Sequence, residues 1–297
     1  MSTHAAAAHV EIEVPIPHKT MRDTVSKELA PGSRFRTRWG ADLAVHEGNP
    51  DFVLSLARGL RVIEAFDGRP QGLSIADIAR ATELSRAAVR RLLITLELLG
   101  YIEANGRKYS LRHRVLHLGM SYLSSSSLAT VSQPAVQKIT DELGESSSVC
   151  VLDGDEVLCI AGAVRRGLMS LDVSTGRRLP VHCTAAGRVL LAALPEEQLA
   201  SQLEGIDLKA LTAKTVVSRE ALARDIQRVR EQGFSVIDEE LEAGIHALAV
   251  PIVSKEGRVV GSLGVGALAA RVSLEDLQTQ FLPALRDQAR AIGQSIP

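Results

Sequence analysis

Three short helices are predicted in the first third of the chain from the spacing of its apolar residues. The first has an apolar stripe formed by Leu56, Leu60, Ile63 and Phe66. A second helix starts at Ser74, where Asp77 completes a capping-box pattern three positions later. The third starts at Ser85 and ends at Gly100. Its expected buried face consists of Ala88, Val89, Leu92, Leu93, Leu96 and Leu99.

A β-hairpin is predicted directly after these helices. Strands over residues 101–103 and 108–111 flank the dipeptide Asn105-Gly106, and both of its residues tolerate positive φ. The order helix, helix, turn, helix, hairpin is typical of a winged helix-turn-helix. We therefore expect this fold, which binds DNA, over residues 52–111.

The rest of the chain has a different pattern. A helix over residues 112–124 ends in a run of serines, so residues 112–127 are predicted to be a linker helix. Residues 128–297 alternate helices with strands in antiparallel hairpins, which indicates an α+β domain. Its predicted strands are 147–152, 156–161, 168–173, 234–238, 245–253 and 258–265. Residues 1–51 lack periodicity and are predicted to be a mobile tail. Its Arg34–Trp39 patch fits a solvated linker better than a DNA contact.

Charge is distributed unevenly along the chain. Residues 52–123 contain 11 Lys/Arg against 6 Asp/Glu, whereas residues 124–297 contain 17 against 22. A basic module next to an acidic one suggests that only the first meets a polyanion. No stretch reaches the ~18 apolar residues of a membrane span. Three cysteines without a CxxC pair suit a reducing compartment, so we expect a cytoplasmic protein.

The third helix has a basic outward face that suits the DNA major groove. Arginine can contact guanine through two hydrogen bonds, and Ala87 leaves room for the backbone or a thymine methyl group. A merely solvated basic face is the alternative, but the capped helix and the hairpin beside it favour DNA. Arg107 and Lys108 are expected to contact phosphates or a minor groove. The candidate DNA-binding residues are Ser85, Arg86, Ala87, Arg90, Arg91, Arg107 and Lys108.

Over residues 52–297 the chain resembles transcriptional regulators of the IclR family. The motifs that carry this resemblance are Ser55–Phe66, Ser85–Arg91, Leu179–Arg188 and Asp238–Gly244. With residues 116–124, they look most similar to the branch that regulates the β-ketoadipate pathway of aromatic-acid catabolism. The resemblance implies a winged helix-turn-helix, a linker helix used in dimerisation and a GAF-like effector-binding domain. It also implies dimers or dimers of dimers on operator DNA, with either activation or repression.

A small-molecule site is predicted in the second domain. Residues 184–187 enter a helix, where free N–H groups and the helix dipole favour an anion, although a tightly packed helix start is equally plausible. Small residues on the strands 245–253 and 258–265 leave room for a cavity, with close packing as the alternative. By resemblance, the effector pocket comprises Leu168, Leu171, Leu179, Ala185, Ala186, Gly187, Asp238, Ala247, Gly264 and Gly266. His182 is a weaker candidate, because a structural histidine is the more common case.

The resemblance also suggests the kind of effector. Gly264 and Gly266 stand where some relatives that bind small keto acids carry serines, and Ala247 where they carry a cysteine. These differences leave a larger, less polar pocket. We expect an aromatic acid such as protocatechuate or 4-hydroxybenzoate, or the ring-cleavage product β-ketoadipate. A small keto acid from another catabolic pathway is the alternative.

Other classes of function have weaker support. His182 and Cys183 would point to opposite faces of a strand, so they make a poor nucleophile–base pair. The acidic residues Asp238, Glu239, Glu240 and Glu242 fit a solvated loop. A redox or metal sensor would use Cys150, Cys159 and Cys183, which lack metal-ligand spacing. We therefore expect no enzyme, no cofactor and no metal, but a regulator whose effector shifts the spacing of its recognition helices.

Overall fold

The computed structural model describes residues 49–69, 71–165 and 173–296. The predicted N-terminal tail therefore lies outside the described residues, except for its last three. The same holds for the predicted strand 168–173, except for Val173. Across the described part of the chain, no helix has both the length and the apolar character needed to cross a membrane.

The first part of the described chain contains the predicted winged helix-turn-helix. Its elements are α1 (Leu54–Glu64), α2 (Ile75–Thr82), α3 (Arg86–Leu98), β1 (Ile102–Asn105) and β2 (Lys108–Leu111). The capping box of α2 is present, because Ser74 Oγ accepts from the Asp77 N–H at 3.2 Å and Asp77 Oδ2 accepts from the Ser74 N–H at 3.2 Å. The fold class of this part is therefore confirmed.

Two predicted buried faces are partly wrong. In α1, Leu56 and Leu60 are 61% and 47% exposed, while Val62 is buried. Apolar residues occupy two faces of this helix, and their spacing alone does not show which face packs against the core. In α3, Val89, Leu93 and Leu96 are buried as expected, and Ala88 and Leu92 are half-buried. Leu99 is exposed, because it follows the last helical residue, where the chain turns away from the core.

The β1–β2 hairpin, which is the wing of this fold, has a tighter turn than predicted. Asn105 pairs with Lys108, so Asn105 belongs to β1 and the loop is Gly106-Arg107. Gly106 alone has the positive φ, at 65°. The N–H of Leu73 donates to the Tyr109 carbonyl at 2.9 Å, and the Tyr109 N–H donates back at 2.8 Å. This bridge ties the hairpin to the start of α2.

The linker region is also shorter than predicted. A 3-10 turn occupies His113–Val115, helix α4 runs over Leu116–Ser125, and α5 begins at Ser127. Ser126 separates the two helices and caps α5, because its Oγ accepts from the Ala129 N–H at 3.3 Å. Within the described chain, no residue of α4 is buried.

A six-stranded antiparallel sheet organises the second part. Its strands are β3 (Ser146–Asp153), β4 (Glu156–Ala163), β5 (Arg178–Pro180), β6 (Ser235–Asp238), β7 (Ile245–Val253) and β8 (Val259–Leu268). Their order is β5-β4-β3-β8-β7-β6. The α-helices of this part are α5 (Ser127–Leu143), α6 (Ala185–Ala192), α7 (Glu196–Gly205), α8 (Arg219–Gln232), α9 (Leu274–Asp276) and α10 (Leu282–Gly293), and a π-helical turn over Leu277–Phe281 joins the last two. The predicted α+β class is confirmed, although β5 and α7 were not predicted.

Helices cover both faces of this sheet. Leu248, Val250 and Ile252 of β7 join the core formed with α5 and α10, whereas Ala247 and Ala249 face α6. This division follows from the alternation of successive side chains between the two faces of a strand. The α6 face carries the small residues, and the space that they leave is described next.

Candidate DNA-binding surface and effector cavity

The outward face of α3 borders a groove between the start of α2 and the wing. Arg86, Ala87, Arg90 and Arg91 are all exposed, as α3 buries its opposite face. The groove encloses about 580 Å³. Its lining consists of Ser74, Ile75, Ala76, Arg86, Ala87, Arg90, Gly106, Arg107 and Tyr109. The structure thus gathers Arg86, Ala87, Arg90 and Arg107 around one concave basic surface.

Three of the predicted DNA-binding residues lie outside this groove. Ser85 Oγ caps α3 by accepting from the Ala88 N–H at 3.2 Å, so its first role is to position the helix. Lys108 Nζ donates to the Gln71 carbonyl at 3.4 Å. Arg91 is exposed beside the groove without lining it. All three remain near enough to the wing or α3 to be tested as phosphate contacts.

A larger cavity of about 820 Å³ lies over the sheet of the second part. Its floor is formed by small residues that face each other across three strands. Gly266 of β8 pairs with Ser146 of β3 and with Ala247 of β7, and Gly264 pairs with Ser148 of β3. Because no side chain in these rows is larger than serine, the helix layer cannot close on the sheet there. The lining role of Ser146 and Ser148 was not predicted, although the run of three serines that contains them is visible in the sequence.

The N-terminus of α6 forms one wall of this cavity. Thr184 caps the helix: its Oγ1 accepts from the Gly187 N–H at 3.2 Å and donates to the Pro180 carbonyl at 2.7 Å. Ala185 and Ala186 are the first two helical residues, whose N–H groups have no partner inside a helix. Both line the cavity. This wall can therefore hold a carboxylate through backbone N–H groups and the helix dipole.

Leu179, Ala247, Gly264 and Gly266 line the cavity as well, whereas Gly187, His182 and Asp238 do not. Leu168 and Leu171 lie outside the described residues. The N–H of Gly187 is taken by Thr184. A β-carbon on Gly187 would lie 2.2 Å from the Val181 carbonyl oxygen, so glycine is needed there for close packing. The prediction that Gly187 cradles the carboxylate is corrected accordingly.

His182 and Asp238 are also directed elsewhere. His182 is buried, and its Nε2 lies 3.1 Å from the Lys209 carbonyl oxygen. Burial lowers the pKa of His182, which keeps the ring neutral and structural. The Asp238 carboxylate contacts Lys214 Nζ at 2.9 Å and is not part of the cavity lining. Neither residue is positioned to touch a molecule in the cavity.

A buried ion-pair network fixes the position of α6. Arg188 Nη2 contacts Glu240 Oε2 at 2.6 Å, and its Nη1 lies 3.2 Å from Asp225 Oδ2 on α8. Glu240 is only 7% exposed. The prediction of a solvated acidic loop over residues 238–242 is therefore wrong for Glu240. Sequence reasoning missed this pair because its members are 52 positions apart.

The sequence comparisons match both parts of the chain to one family. Residues 55–106 match the IclR helix-turn-helix domain, and residues 120–294 match the bacterial transcriptional regulator IclR C-terminal domain. The chain belongs to the IclR family. It is a transcriptional regulator whose helix-turn-helix domain implies binding to DNA, as expected from the outward face of α3.

Individual relatives show which members of the family this chain is similar to. The Pca regulon regulatory protein of Pseudomonas putida is 47% identical over 82% of this chain and 84% of its own length. The p-hydroxybenzoate hydroxylase transcriptional activator of Acinetobacter baylyi is 34% identical, over 82% and 91%. A solved IclR homologue from Microbacterium hydrocarbonoxydans, in complex with 4-hydroxybenzoate, has a TM-score of 0.71 at 26% identity, over 82% and 98%. The expected likeness to regulators of aromatic-acid catabolism is confirmed.

Charged residues at the rim of the cavity were not predicted. Arg271 forms two hydrogen bonds with the buried Glu145 carboxylate, at 2.9 and 2.8 Å. Arg165 and Arg177 also contribute to the lining. A binding role for these residues has no local sequence signal, because Arg165 and Arg177 lie between β4 and β5 whereas Arg271 follows β8, and the three meet only in the folded domain. Glu145 offsets the charge of Arg271, and Glu242 also lines the cavity, so the three arginines leave the lining with a small net positive charge that favours acidic molecules.

The cysteines of this regulator are buried. Burial raises the pKa of Cys183 to about 12, so its thiol stays protonated. Cys150 Sγ lies 3.2 Å from Cys159 Sγ, and this hydrogen bond, with burial, raises the pKa of Cys150. His182 and Cys183 lie in a turn and not in a strand, which corrects the earlier argument about opposite faces. In this turn, His182 Nε2 lies 3.1 Å from the Lys209 carbonyl oxygen.

Proposed function

We propose that this regulator controls genes of aromatic-acid catabolism in response to a small carboxylate that binds in the 820 Å³ cavity. The observation that carries the proposal is the meeting of a small-residue sheet floor with the open N-terminus of α6. A carboxylate at Ala185 and Ala186 would neutralise the partial positive charge of the helix end. The relatives that regulate Pca genes and p-hydroxybenzoate hydroxylase support this pathway.

The charge of the rim favours an effector with a second acidic or strongly polar group. Arg165, Arg177 and Arg271 outnumber Glu145, which pairs with Arg271, and Glu242 in the lining. The α6 N-terminus supplies a further site for an anion. β-Ketoadipate has two carboxylates, one for the α6 N-terminus and one for the arginines at the rim of the cavity. Protocatechuate and 4-hydroxybenzoate would place a phenolic oxygen at the second end. The volume lies within the range for small-molecule sites, about 300–1,000 Å³.

DNA recognition is assigned to the groove beside α3. Arg90 is exposed and lines the groove, and α3 presents it away from the protein core. We expect Arg90→Ala to weaken operator binding by about 1–3 kcal/mol, roughly 5- to 150-fold, if it loses a two-hydrogen-bond contact to a base. Arg258→Ala, which removes an exposed arginine of the second domain, is the matched control. Equal operator affinity in the two variants would refute the assignment.

A dimer, alone or paired into a tetramer, is the proposed DNA-binding form. Leu116, Leu118, Met120 and Tyr122 of α4 are 49–68% exposed, and Leu98 is 84% exposed. A monomer rarely leaves so many large apolar side chains in water. Burial of α4 between two copies would hold two recognition helices at one spacing, as a palindromic operator requires. We infer a cytoplasmic DNA-bound oligomer with no catalytic step.

Thermal stability of the full chain tests the effector directly. A compound that binds only the native state raises the melting temperature by mass action. Stabilisation is expected with β-ketoadipate, protocatechuate or 4-hydroxybenzoate, and the active compound should change operator affinity in a mobility-shift assay. Stabilisation by glyoxylate or pyruvate alone would contradict the aromatic-acid assignment and favour a keto-acid regulator.

A further inference from the structure

A cluster of three potential metal ligands lies outside the effector cavity. Asp238 ends β6, Glu239 follows it, and His246 is the second residue of β7. Asp238 and His246 face each other directly across the two strands. One ligand atom from each of the three residues lies within 4.8 Å of the others. The acidic loop of the sequence analysis thus contains a mixed oxygen and nitrogen site that the DNA-binding and effector roles do not use.

The imidazole is oriented for coordination by its second nitrogen. His246 is buried, with 8% exposure, and its Nδ1 lies 2.9 Å from the Val272 carbonyl oxygen. A carbonyl oxygen only accepts hydrogen bonds, so Nδ1 carries the proton. In the neutral ring the lone pair is then on Nε2, which lies 3.2 Å from Asp238 Oδ1. Metal-binding histidines are held in this way, with a backbone carbonyl fixing the other nitrogen.

His246 Nε2 and Asp238 Oδ1 therefore face each other at a distance that a shared metal ion could bridge. Ligands that share one tetrahedral zinc ion at 2.0–2.2 Å lie about 3.3–3.6 Å from each other. The 3.2 Å between His246 Nε2 and Asp238 Oδ1 is just below that range, so a small shift of the two side chains admits the ion. We propose that Asp238, Glu239 and His246 bind a divalent transition-metal ion of the zinc class, with water completing the shell.

Lys214 is a competitor for this position within the chain. Its Nζ lies 2.9 Å from Asp238 Oδ1 and 2.6 Å from Glu239 Oε1. The lysine side chain is 48% exposed and flexible, so it can swing into solvent when a divalent ion enters. The ammonium holds one positive charge between two carboxylates, and a metal ion would supply two. The observed metal affinity is therefore the free energy gained from binding the ion, less the free energy lost when the Lys214 ion pairs break.

The site is linked to the effector cavity by a short segment. Glu239 Oε2 accepts from the Gly244 N–H at 2.6 Å, which closes the loop between β6 and β7. Leu241 and Glu242 within that loop line the cavity, as does Ile245 directly after it. An ion held by Asp238, Glu239 and His246 would stiffen this wall. This link to effector binding rests on the proposed function, whereas metal binding itself does not.

Zn²⁺ titration of the metal-free full chain by isothermal titration calorimetry tests the site. Wild type should bind one equivalent that His246→Gln weakens at least about 100-fold, since a direct ligand should matter at least as much as an outer-shell partner, whose loss costs about 10–100-fold. His117→Gln, which removes an exposed histidine of α4, should keep that equivalent. Zinc bound elsewhere on the chain is retained by His246→Gln, so the difference between wild type and that variant isolates the proposed site.

Lys214→Met provides the test that a simple ion-pair network cannot pass. Removal of the competing ammonium should tighten Zn²⁺ binding about tenfold or more, while Lys209→Met, at an exposed lysine nearby in sequence, should not change it. Because Lys214 is half-exposed, the variant is expected to fold. Equal zinc affinity in wild type and His246→Gln, or no gain in Lys214→Met, would overturn the proposal. Effector and operator binding measured without metal separate this failure from a failure of the proposed function.

Discussion

Replacing Gly187 by alanine brings a β-carbon against the backbone that precedes α6. The added atom would lie 2.2 Å from the Val181 carbonyl oxygen, 2.5 Å from Val181 Cα and 2.6 Å from Thr184 Oγ1. Backbone must therefore shift by about 1 Å, and over-packing of this kind costs about 1–3 kcal/mol. The shift also disturbs the Thr184 cap, and loss of such a cap costs about 1 kcal/mol. Alanine has a higher helix propensity than glycine, and this gain roughly offsets the loss of the cap. We expect a net loss of about 1–3 kcal/mol.

Differential scanning calorimetry without effector measures this loss as a lower melting temperature of the second domain. Gly205→Ala is the matched control, because nothing lies within 4 Å of a β-carbon there and the residue is helical. That variant should be unchanged or up to about 1 kcal/mol more stable. If Gly187→Ala melts with wild type while effector binding is lost, Gly187 acts as a ligand cradle and the packing argument is refuted.

Three further predictions concern other parts of the chain. Glu83 has a φ of 58° at the end of α2, so Glu83→Gly should stabilise the DNA-binding domain by about 0.5–1 kcal/mol in urea unfolding; a destabilised variant would show that the side chain has an unrecognised contact. Leu118→Asp should shift the protein towards monomer in sedimentation equilibrium and weaken operator binding with its fold intact; an unchanged dimer would exclude α4 from the interface. With a pKa of about 12, Cys183 is a thiolate in only about one molecule in ten thousand at pH 8, so iodoacetamide should label it only after unfolding, and rapid native labelling would contradict its burial.

Much of the architecture could be predicted because it depends on local patterns. The capping box at Ser74 and the end of α5 at Gly144 are visible in the sequence and present in the structure. The alternation of β7 placed Ala247 on the side of the cavity. These features depend on neighbours within a few positions, for which spacing and side-chain type are sufficient.

Features that depend on distant partners could not be predicted. The stripe containing Leu56 and Leu60 is apolar, yet it is exposed in the described chain, and only tertiary packing decides which line of a helix is buried. Arg188 and Glu240 meet across 52 positions, so neither charge shows from its neighbours that it will be buried. The packing role of Gly187 depends on Val181, whose backbone returns to it through a turn.

The central claim is that an acidic effector occupies the cavity between the sheet floor and the start of α6. Isothermal titration of β-ketoadipate, protocatechuate and 4-hydroxybenzoate into wild type and Ala247→Leu tests it most directly, because the larger side chain would fill the floor without altering the DNA-binding domain. We predict that at least one compound binds wild type and that Ala247→Leu loses this binding while keeping its affinity for operator DNA. Unchanged binding in Ala247→Leu would place the effector elsewhere and contradict the account.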